Sequence, residues 1–211
     1  MKLPAALVAT VFLIAAPALF ANEIAIYGTG MGPGGALADG VVDTHYMLSS
    51  ADPDFPGPAA YVNNQDALAV GWIADSATSK WISPTAFGTD GHANAEYDYT
   101  TTFDLTGLDA STAILQGMMS ADDGTTIFLN GNPVSPLFGT FTSNAPFQIN
   151  AGFVSGLNML TFAVQNYGSG PTGLNVAISG TAAPTPEPSS VALLGAGLAF
   201  AFNLFRRRLA K

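Results

Sequence analysis

The segment Tyr97-Asp-Tyr-Thr-Thr-Thr-Phe-Asp-Leu105 decides the fold, because every second side chain in it is aromatic, aliphatic or β-branched. Successive side chains of a β-strand point to opposite faces of a sheet, so a period of two puts Tyr97, Tyr99 and Phe103 on one face. The polar side chains between them fall on the other face. The segment therefore predicts a long strand with one buried and one exposed face.

The same alternation recurs along the chain between residues 22 and 183. Further strands are predicted at Ile24–Tyr27, Tyr46–Leu48, Ala60–Val62, Lys80–Ile82, Thr112–Ala121, Thr125–Leu129, Phe147–Ile149, Leu160–Val164 and Leu174–Ile178. Asn130-Gly131 is the sequence signal of a tight hairpin turn. No part of this region has a helical period, so the sequence predicts an all-β fold, an antiparallel β-sandwich or jelly roll.

The first 21 residues have the composition of a secretory signal peptide. Lys2 supplies the charged start, Leu3–Pro17 is apolar, and Ala18-Leu-Phe-Ala21 is the expected cleavage region. Such a segment directs export and is then removed, so the mature chain is predicted to begin at Asn22. An uncleaved membrane anchor is the alternative interpretation.

The C-terminus has three consecutive parts: a proline-rich linker at 184–190, an apolar run at 191–205 and a basic tail at 206–211. At about 1.5 Å per residue, the apolar run is shorter than the roughly 30 Å hydrocarbon core of a bilayer. It is predicted to be a single short transmembrane helix whose flanking arginines reach the headgroups, with the basic tail in the cytoplasm. A buried helix of a soluble domain is the alternative.

The order of these parts resembles the PEP-CTERM sorting signal of exported bacterial proteins. The matching residues are Pro186, Glu187 and Pro188, the apolar run, and the arginines Arg206, Arg207 and Arg208. The resemblance implies a transient inner-membrane anchor that an exosortase-type membrane protease cuts near the Pro-Glu-Pro motif. It also implies a final location at the cell surface or in a biofilm matrix, together with exopolysaccharide.

The region between these two targeting segments, residues 22–183, is strongly acidic and contains no cysteine. It holds one basic residue, Lys80, against fourteen acidic ones, a net charge of −13. Nucleic acid is excluded as a natural partner, because neutralising phosphates requires a basic surface. Thiol catalysis, thiolate metal sites and disulfides are excluded as well, so the core alone must stabilise this single domain.

The second half of the domain resembles the galactose-binding-like jelly roll found in many carbohydrate-binding modules. The residues that carry this resemblance are the segments 99–105, 121–124, 127–131, 156–166 and 170–176. They are strand and turn residues, so they are more informative about fold than about function. The resemblance implies a β-sandwich that binds carbohydrate.

Trp72 and Trp81 are the predicted sugar-binding aromatic residues, with Asn63 and Asn64 as hydrogen-bonding partners. The C–H faces of a pyranose stack on aromatic rings, while amide side chains bond its hydroxyl groups. The alternative is that the two indoles fill the core, as most aromatic residues of a β-sandwich do.

Asp122 and Asp123 are the densest acidic pair of the domain and are predicted ligands of a structural Ca²⁺. Calcium prefers carboxylate and carbonyl oxygens presented by loops. Asp39 and Asp43 are predicted on the basis of the resemblance, since such jelly rolls often hold calcium near their first strands. The alternative for Asp122-Asp123-Gly124 is a tight turn in which the carboxylates bond nearby amides.

These observations predict an exported, non-catalytic β-domain protein that requires no cofactor and binds carbohydrate. A structural component of the surface or matrix, without glycan binding, is the first alternative. A glycan-active enzyme is the second, and it requires two carboxylates facing each other across a cleft.

Overall fold

The computed structural model describes residues 21–64, 71–88, 92–185 and 190–209. The predicted signal peptide, apart from Ala21, lies outside these residues. So do the predicted processing residues Pro186, Glu187 and Pro188.

Within the described residues the chain forms thirteen strands, one short 3₁₀ turn and one helix. The strands are β1 (Asn22–Glu23), β2 (Met31–Gly32), β3 (Gly35–Ala36), β4 (Val42–Ser50), β5 (Ala59–Val62), β6 (Ile82–Ser83), β7 (Glu96–Asp104), β8 (Ile114–Asp122), β9 (Gly124–Leu129), β10 (Asn132–Pro133), β11 (Ala145–Ile149), β12 (Leu157–Gln165) and β13 (Gly173–Ala182). The 3₁₀ turn is Ala110–Thr112, and helix α1 is Ser190–Leu209.

All but two of the strands join one curled antiparallel sheet. Its order is β10-β9-β12-β7-β4-β5-β6-β13-β8-β11, with β1 on β13, while β2 and β3 form a separate hairpin. The domain is therefore mostly β, and the curled sheet is consistent with the expected β-sandwich.

Each predicted strand overlaps an observed one except at the start of the domain, although Lys80–Ile82 coincides with β6 only at Ile82. Ile24–Tyr27 is not a strand: β1 ends at Glu23, and after the Ile24 amide bonds the Gly180 carbonyl the chain leaves β13. It returns at Thr29, whose amide bonds the Val176 carbonyl. The apolar alternation of Ile24 and Ile26 was a poor guide here, because the intervening residues make no ladder with β13.

The turn signal Asn130-Gly131 is confirmed. Asn130 has a φ of 52° and Gly131 a φ of 79°, and together they connect β9 to β10. Two consecutive residues with positive φ are what a type I′ turn requires, and asparagine and glycine adopt that conformation most readily.

The inner face of the sheet forms one apolar core around the predicted strand at residues 97–105. Phe162 on β12 lies between Tyr99 on β7 and Ile127 on β9 in the strand register, and all three are buried. Met119 on β8 lies beside Val176 on β13 in the same core. The period of two thus places the side chains of non-adjacent segments on one buried surface.

Helix α1 contains the predicted apolar run 191–205 and extends beyond it at both ends. Among the described residues, no helix is both long enough and apolar enough to cross a membrane.

Two leucines of β12 allow the importance of the buried face to be measured with matched substitutions. Leu160 is fully buried, whereas Leu157 is 68% exposed. Leu160→Ala should lower the free energy of unfolding by about 2–5 kcal/mol, because it leaves a cavity in the core. Leu157→Ala should change it by no more than about 0.5 kcal/mol. Urea unfolding of both variants checks this, and equal effects would contradict the assigned register.

Candidate functional site

The two predicted sugar-binding tryptophans pack against each other inside the protein. Their ring centroids are 4.3 Å apart, and Trp72 and Trp81 are only 4% and 3% exposed. Trp81 Nε1 donates to the Ile73 carbonyl at 2.8 Å, and Ile73 and Phe141 cover the pair. The prediction of an open sugar platform is wrong in this structure, because neither indole presents a free face to a pyranose.

Of the two predicted amide partners, Asn63 has its side chain engaged in the protein. Asn63 is buried, donates to Ser83 Oγ at 3.2 Å and accepts from the Gly88 amide at 3.3 Å. The backbone N–H of Asn64 donates to the Ala86 carbonyl at 3.0 Å, whereas its side-chain Oδ1 is buried with no hydrogen-bond partner among the described residues. These contacts hold the segments on either side of Trp72 together, so the side chain of Asn63 has a structural role.

Trp72 connects this aromatic pair to the acidic corner between β8 and β9. Its Nε1 donates to Asp122 Oδ2 at 2.6 Å, and the Asp122 carbonyl accepts from Thr172 Oγ1 at 2.8 Å. Asp123 Oδ2 accepts from the Tyr167 amide at 2.6 Å. The corner thus has the hydrogen bonding expected of a structural turn, with an additional indole bond that the sequence did not indicate.

Burial raises the pKa of Asp122 to about 7. The hydrogen bond from Trp72 opposes this rise, whereas the neighbouring charge of Asp123 and a hydrogen bond with it add to it. Two adjacent carboxyl groups in a poorly solvated site cannot easily both ionise. The Asp122 carboxyl therefore holds its proton to a much higher pH than an exposed aspartate does.

The other two predicted calcium ligands have protein partners of their own. Asp39 pairs with Lys80, and the buried carboxyl of Asp43 accepts from the amides of Gly30 at 2.7 Å and His45 at 2.9 Å. In the part of the chain that the structure describes, no three histidine or acidic side chains are grouped to hold a metal ion. The structure thus does not bring the four predicted carboxylates together, and calcium binding remains a prediction.

The outer face of β11, β8 and β13 carries a groove of about 650 Å³. Two parallel rows of outward-facing side chains cross these strands. One row is polar and consists of Gln148, Gln116 and Ser179, which are aligned in register. The other row is apolar and consists of Pro146, Met118 and Ala177.

The spacing and charge of the groove suit a neutral ligand with one polar and one apolar side. Adjacent strands lie about 4.8 Å apart, so each row extends about 10 Å across three strands. The rows are two residues apart, which is about 7 Å along a strand. All residues that line the groove are uncharged, in contrast with the acidity of the whole domain.

Gln116 and Met118 lie in the predicted strand Thr112–Ala121, but nothing in that segment alone indicates the groove. The rows exist only because β11 and β13 flank β8 in a particular register, and that pairing joins segments about 30 and 60 residues apart. The outward-facing amide side chains of neighbouring strands can be aligned only when the order of the strands in the sheet is known.

These features define a β-domain followed by a proline-rich linker and a terminal helix. Residues 184–208 match the PEP-CTERM protein-sorting motif, as the order of the tail predicted. A search of curated proteins returned no match for the chain.

The solved structures similar to this domain include binding modules and enzymes. A family 35 carbohydrate-binding module from Clostridium thermocellum is 15% identical, with a TM-score of 0.36, covering 68% of this chain and 98% of the module. A Stig cyclase from Fischerella sp. TAU is 12% identical, with a TM-score of 0.45, covering 79% of this chain and 100% of the cyclase.

A third similar structure is the enzymatically active domain of tailspike protein 4 from bacteriophage CBA120. It is 11% identical with a TM-score of 0.44, and the match covers 70% of this chain but only 21% of the tailspike chain. Carbohydrate-binding modules are thus among the similar solved structures, at identities of at most 15% and TM-scores below 0.5.

The acidic corner should titrate near neutral pH, and Trp72 provides the signal. When folding raises the pKa of an acid, the stabilisation is greatest below the pKa that the acid has in the unfolded chain. It is lost as the pH rises from that pKa to the higher pKa of the folded state. Asp122→Asn mimics the protonated acid and can still accept from Trp72. The tryptophan fluorescence of the wild type should change with a midpoint near pH 7, and this change should be absent in the variant.

The same substitution has a second readout. In urea unfolding, Asp122→Asn should match the wild type near pH 4 and gain stability relative to it as the pH approaches 8. A stability difference that does not vary with pH would contradict the shifted pKa.

Proposed function

We propose that this protein is exported, anchored briefly in the inner membrane by its tail and released by an exosortase-type protease to the cell surface or extracellular matrix. The single observation that carries this proposal is the match of residues 184–208 to the PEP-CTERM protein-sorting motif. The acidic, cysteine-free domain is then the cargo that the tail delivers.

In this proposal residues 1–21 are a cleaved signal peptide and the apolar run is a short transmembrane helix. The run by itself is brief, and membrane insertion would depend on thinning of the bilayer and on Arg206, Arg207 and Arg208 extending to the headgroups. A short, weakly held span suits a segment that is to be removed.

We further propose that the domain, as a β-sandwich, binds neutral carbohydrate, such as an exopolysaccharide, in the groove on β8, β11 and β13. A sugar ring has apolar C–H surfaces beside hydroxyl groups, and the groove offers an apolar row beside amide and hydroxyl side chains. Sites for small ligands typically combine an apolar surface with a few polar groups that fix orientation. Catalysis is not part of this proposal.

A structural role without glycan binding is the second candidate function. It is favoured by the burial of Trp72 and Trp81, which leaves the best stacking residues of the chain without an open face. The two candidates differ only in whether the groove retains a sugar.

Deletion of residues 191–211 should convert the protein from membrane-associated into soluble periplasmic material. The reason is that this segment contains the whole apolar run together with the terminal arginines. Fractionation of the producing cells, followed by immunoblotting, measures the change. An unchanged distribution would count against the tail as the anchor.

A glycan array probed with residues 22–183 tests the groove. We expect binding to neutral glycans that falls at least tenfold in Gln116→Ala and Gln148→Ala, because each substitution removes one hydrogen-bonding side chain from the polar row. Gln165→Ala, on β12 and outside the groove, is the matched control and should bind like the wild type.

Running the array with and without Ca²⁺ tests the predicted calcium at the same time. No retained sugar in either condition would favour the structural role, and equal losses in all three variants would place the site elsewhere.

A further inference from the structure

The last residues before the processing motif are fastened to the folded domain. We call residues 183–185 the strap. The Asp109 amide donates to the Ala183 carbonyl at 2.7 Å, and the Ala183 amide donates to Thr112 Oγ1 at 2.8 Å. Two hydrogen bonds in opposite directions therefore fix the first residue of the strap.

The rest of the strap is held by the same part of the chain, the loop at residues 105–112. The Thr185 amide and hydroxyl both donate to the Gly107 carbonyl, at 2.9 and 3.2 Å. Between these contacts, Pro184 and Leu108 form an isolated antiparallel bridge. Each residue of the strap thus contacts the loop.

The loop is itself well ordered by internal contacts, so it is a firm support. Asp109 Oδ1 accepts from the Ser111 amide at 3.0 Å and the Ser111 hydroxyl at 2.7 Å. The Leu108 amide donates to the Leu105 carbonyl at 2.9 Å, and the Leu108 side chain packs against the core. Any release must therefore occur by movement of the strap rather than of the loop.

The strap leaves little free chain for the protease. A residue spans at most about 3.6 Å, so Thr185 and Ser190 lie within about 18 Å of each other. The Pro-Glu-Pro motif begins directly after Thr185, whose amide bonds the loop. The expected cut therefore falls within a few residues of the folded surface.

Proteins that bind peptide segments commonly hold them in an extended conformation along several residues. A protease that cuts near Pro186-Glu187-Pro188 would need the residues just before the motif in its cleft. The strap cannot lie in that cleft and on the loop at residues 105–112 at the same time.

We propose that the strap restricts processing: release of residues 183–185 from the loop precedes cleavage of the tail by the membrane protease. This inference rests on the proposed exosortase-type processing. The apparent rate of cleavage then equals the rate on the released form multiplied by the fraction of molecules in that form. The released segment extends no further back along the chain than Ala183, because the side chain of Ala182 is buried in the core.

Local opening of such a segment is physically reasonable. The strap is held by a few hydrogen bonds, most of them at exposed positions, and its own side chains are half-buried or exposed. Segments of this kind open far more often than the whole domain unfolds. The folded domain thus sets how often the tail is presented to the protease.

A reversible cross-link between strap and loop tests the proposal in the full-length chain. Leu108 and Pro184 are bridge partners, and antiparallel partners have Cα separations that a disulfide accommodates. Because the chain has no cysteine, the double variant Leu108→Cys/Pro184→Cys can form only this disulfide within the chain. In isolated membranes that contain the protease, the oxidised variant should be cut at least tenfold more slowly than after reduction.

Weakening the strap should have the opposite effect. Thr112→Val removes the acceptor of the Ala183 amide and should accelerate cleavage severalfold. Thr102→Val, on the outer face of β7, is the matched control and should be cut at the wild-type rate. The single variants Leu108→Cys and Pro184→Cys report any effect of the substitutions themselves.

The outcomes separate the strap from the processing reaction on which it rests. Equal cleavage of the oxidised and reduced double variant, in membranes that cut the wild type, would overturn the proposal while leaving the processing intact. Failure to cut the wild type and every variant would instead overturn the proposed processing, and the strap proposal with it.

Discussion

The antiparallel register of β8 and β13 is the constraint on which the rest of the structure depends. It runs without interruption from the pair Asp122–Gly173 at one end to Ile114–Thr181 at the other. The first end sets the acidic corner against Trp72 and Thr172, and the middle aligns the two rows of the groove. At the second end, the chain leaves β13 and enters the strap beside Thr112. A slip of one residue would reverse the faces of one strand relative to the other and disrupt all three features.

The acidic corner illustrates how a strongly negative domain accommodates charge at a buried position. Burial raises the pKa of Asp122, which favours the loss of one charge from the pair at the end of β8, and the Trp72 indole N–H donates to the same buried carboxyl. The corner also joins β8, which pairs with β13, to β9, which pairs with β12. Its hydrogen bonds thus stabilise the point at which the chain passes between two parts of the curled sheet.

Much of the fold could be predicted from the sequence, because a strand with one buried face has alternating apolar and polar residues. Tyr97, Tyr99 and Phe103 alternate with polar residues, and Asn130-Gly131 requires a conformation that few other residue pairs adopt. The prediction of the first strand was wrong, because two alternating isoleucines do not show where the chain separates from the neighbouring strand β13. The sorting tail was recognised because the order of its parts is a linear pattern that needs no folding to be read.

The candidate site could not be predicted in the same way. Trp72 lies in a region without regular alternation, and its partner Asp122 is fifty residues away. The local sequence does not distinguish a tryptophan that binds sugar from one that is buried against the acidic corner. The groove and the strap depend equally on long-range pairing, since Gln116 meets Gln148 and Ala183 meets Thr112 only through the sheet.

The central claim is that residues 22–183 form a domain delivered by two removable ends. The most direct test is the intact mass of the protein recovered from the surface or matrix of the producing cells. The account predicts a chain that begins at Asn22 and ends between residues 186 and 189. A mature protein that still carries residues 191–211, or that retains residues 1–21, would contradict it.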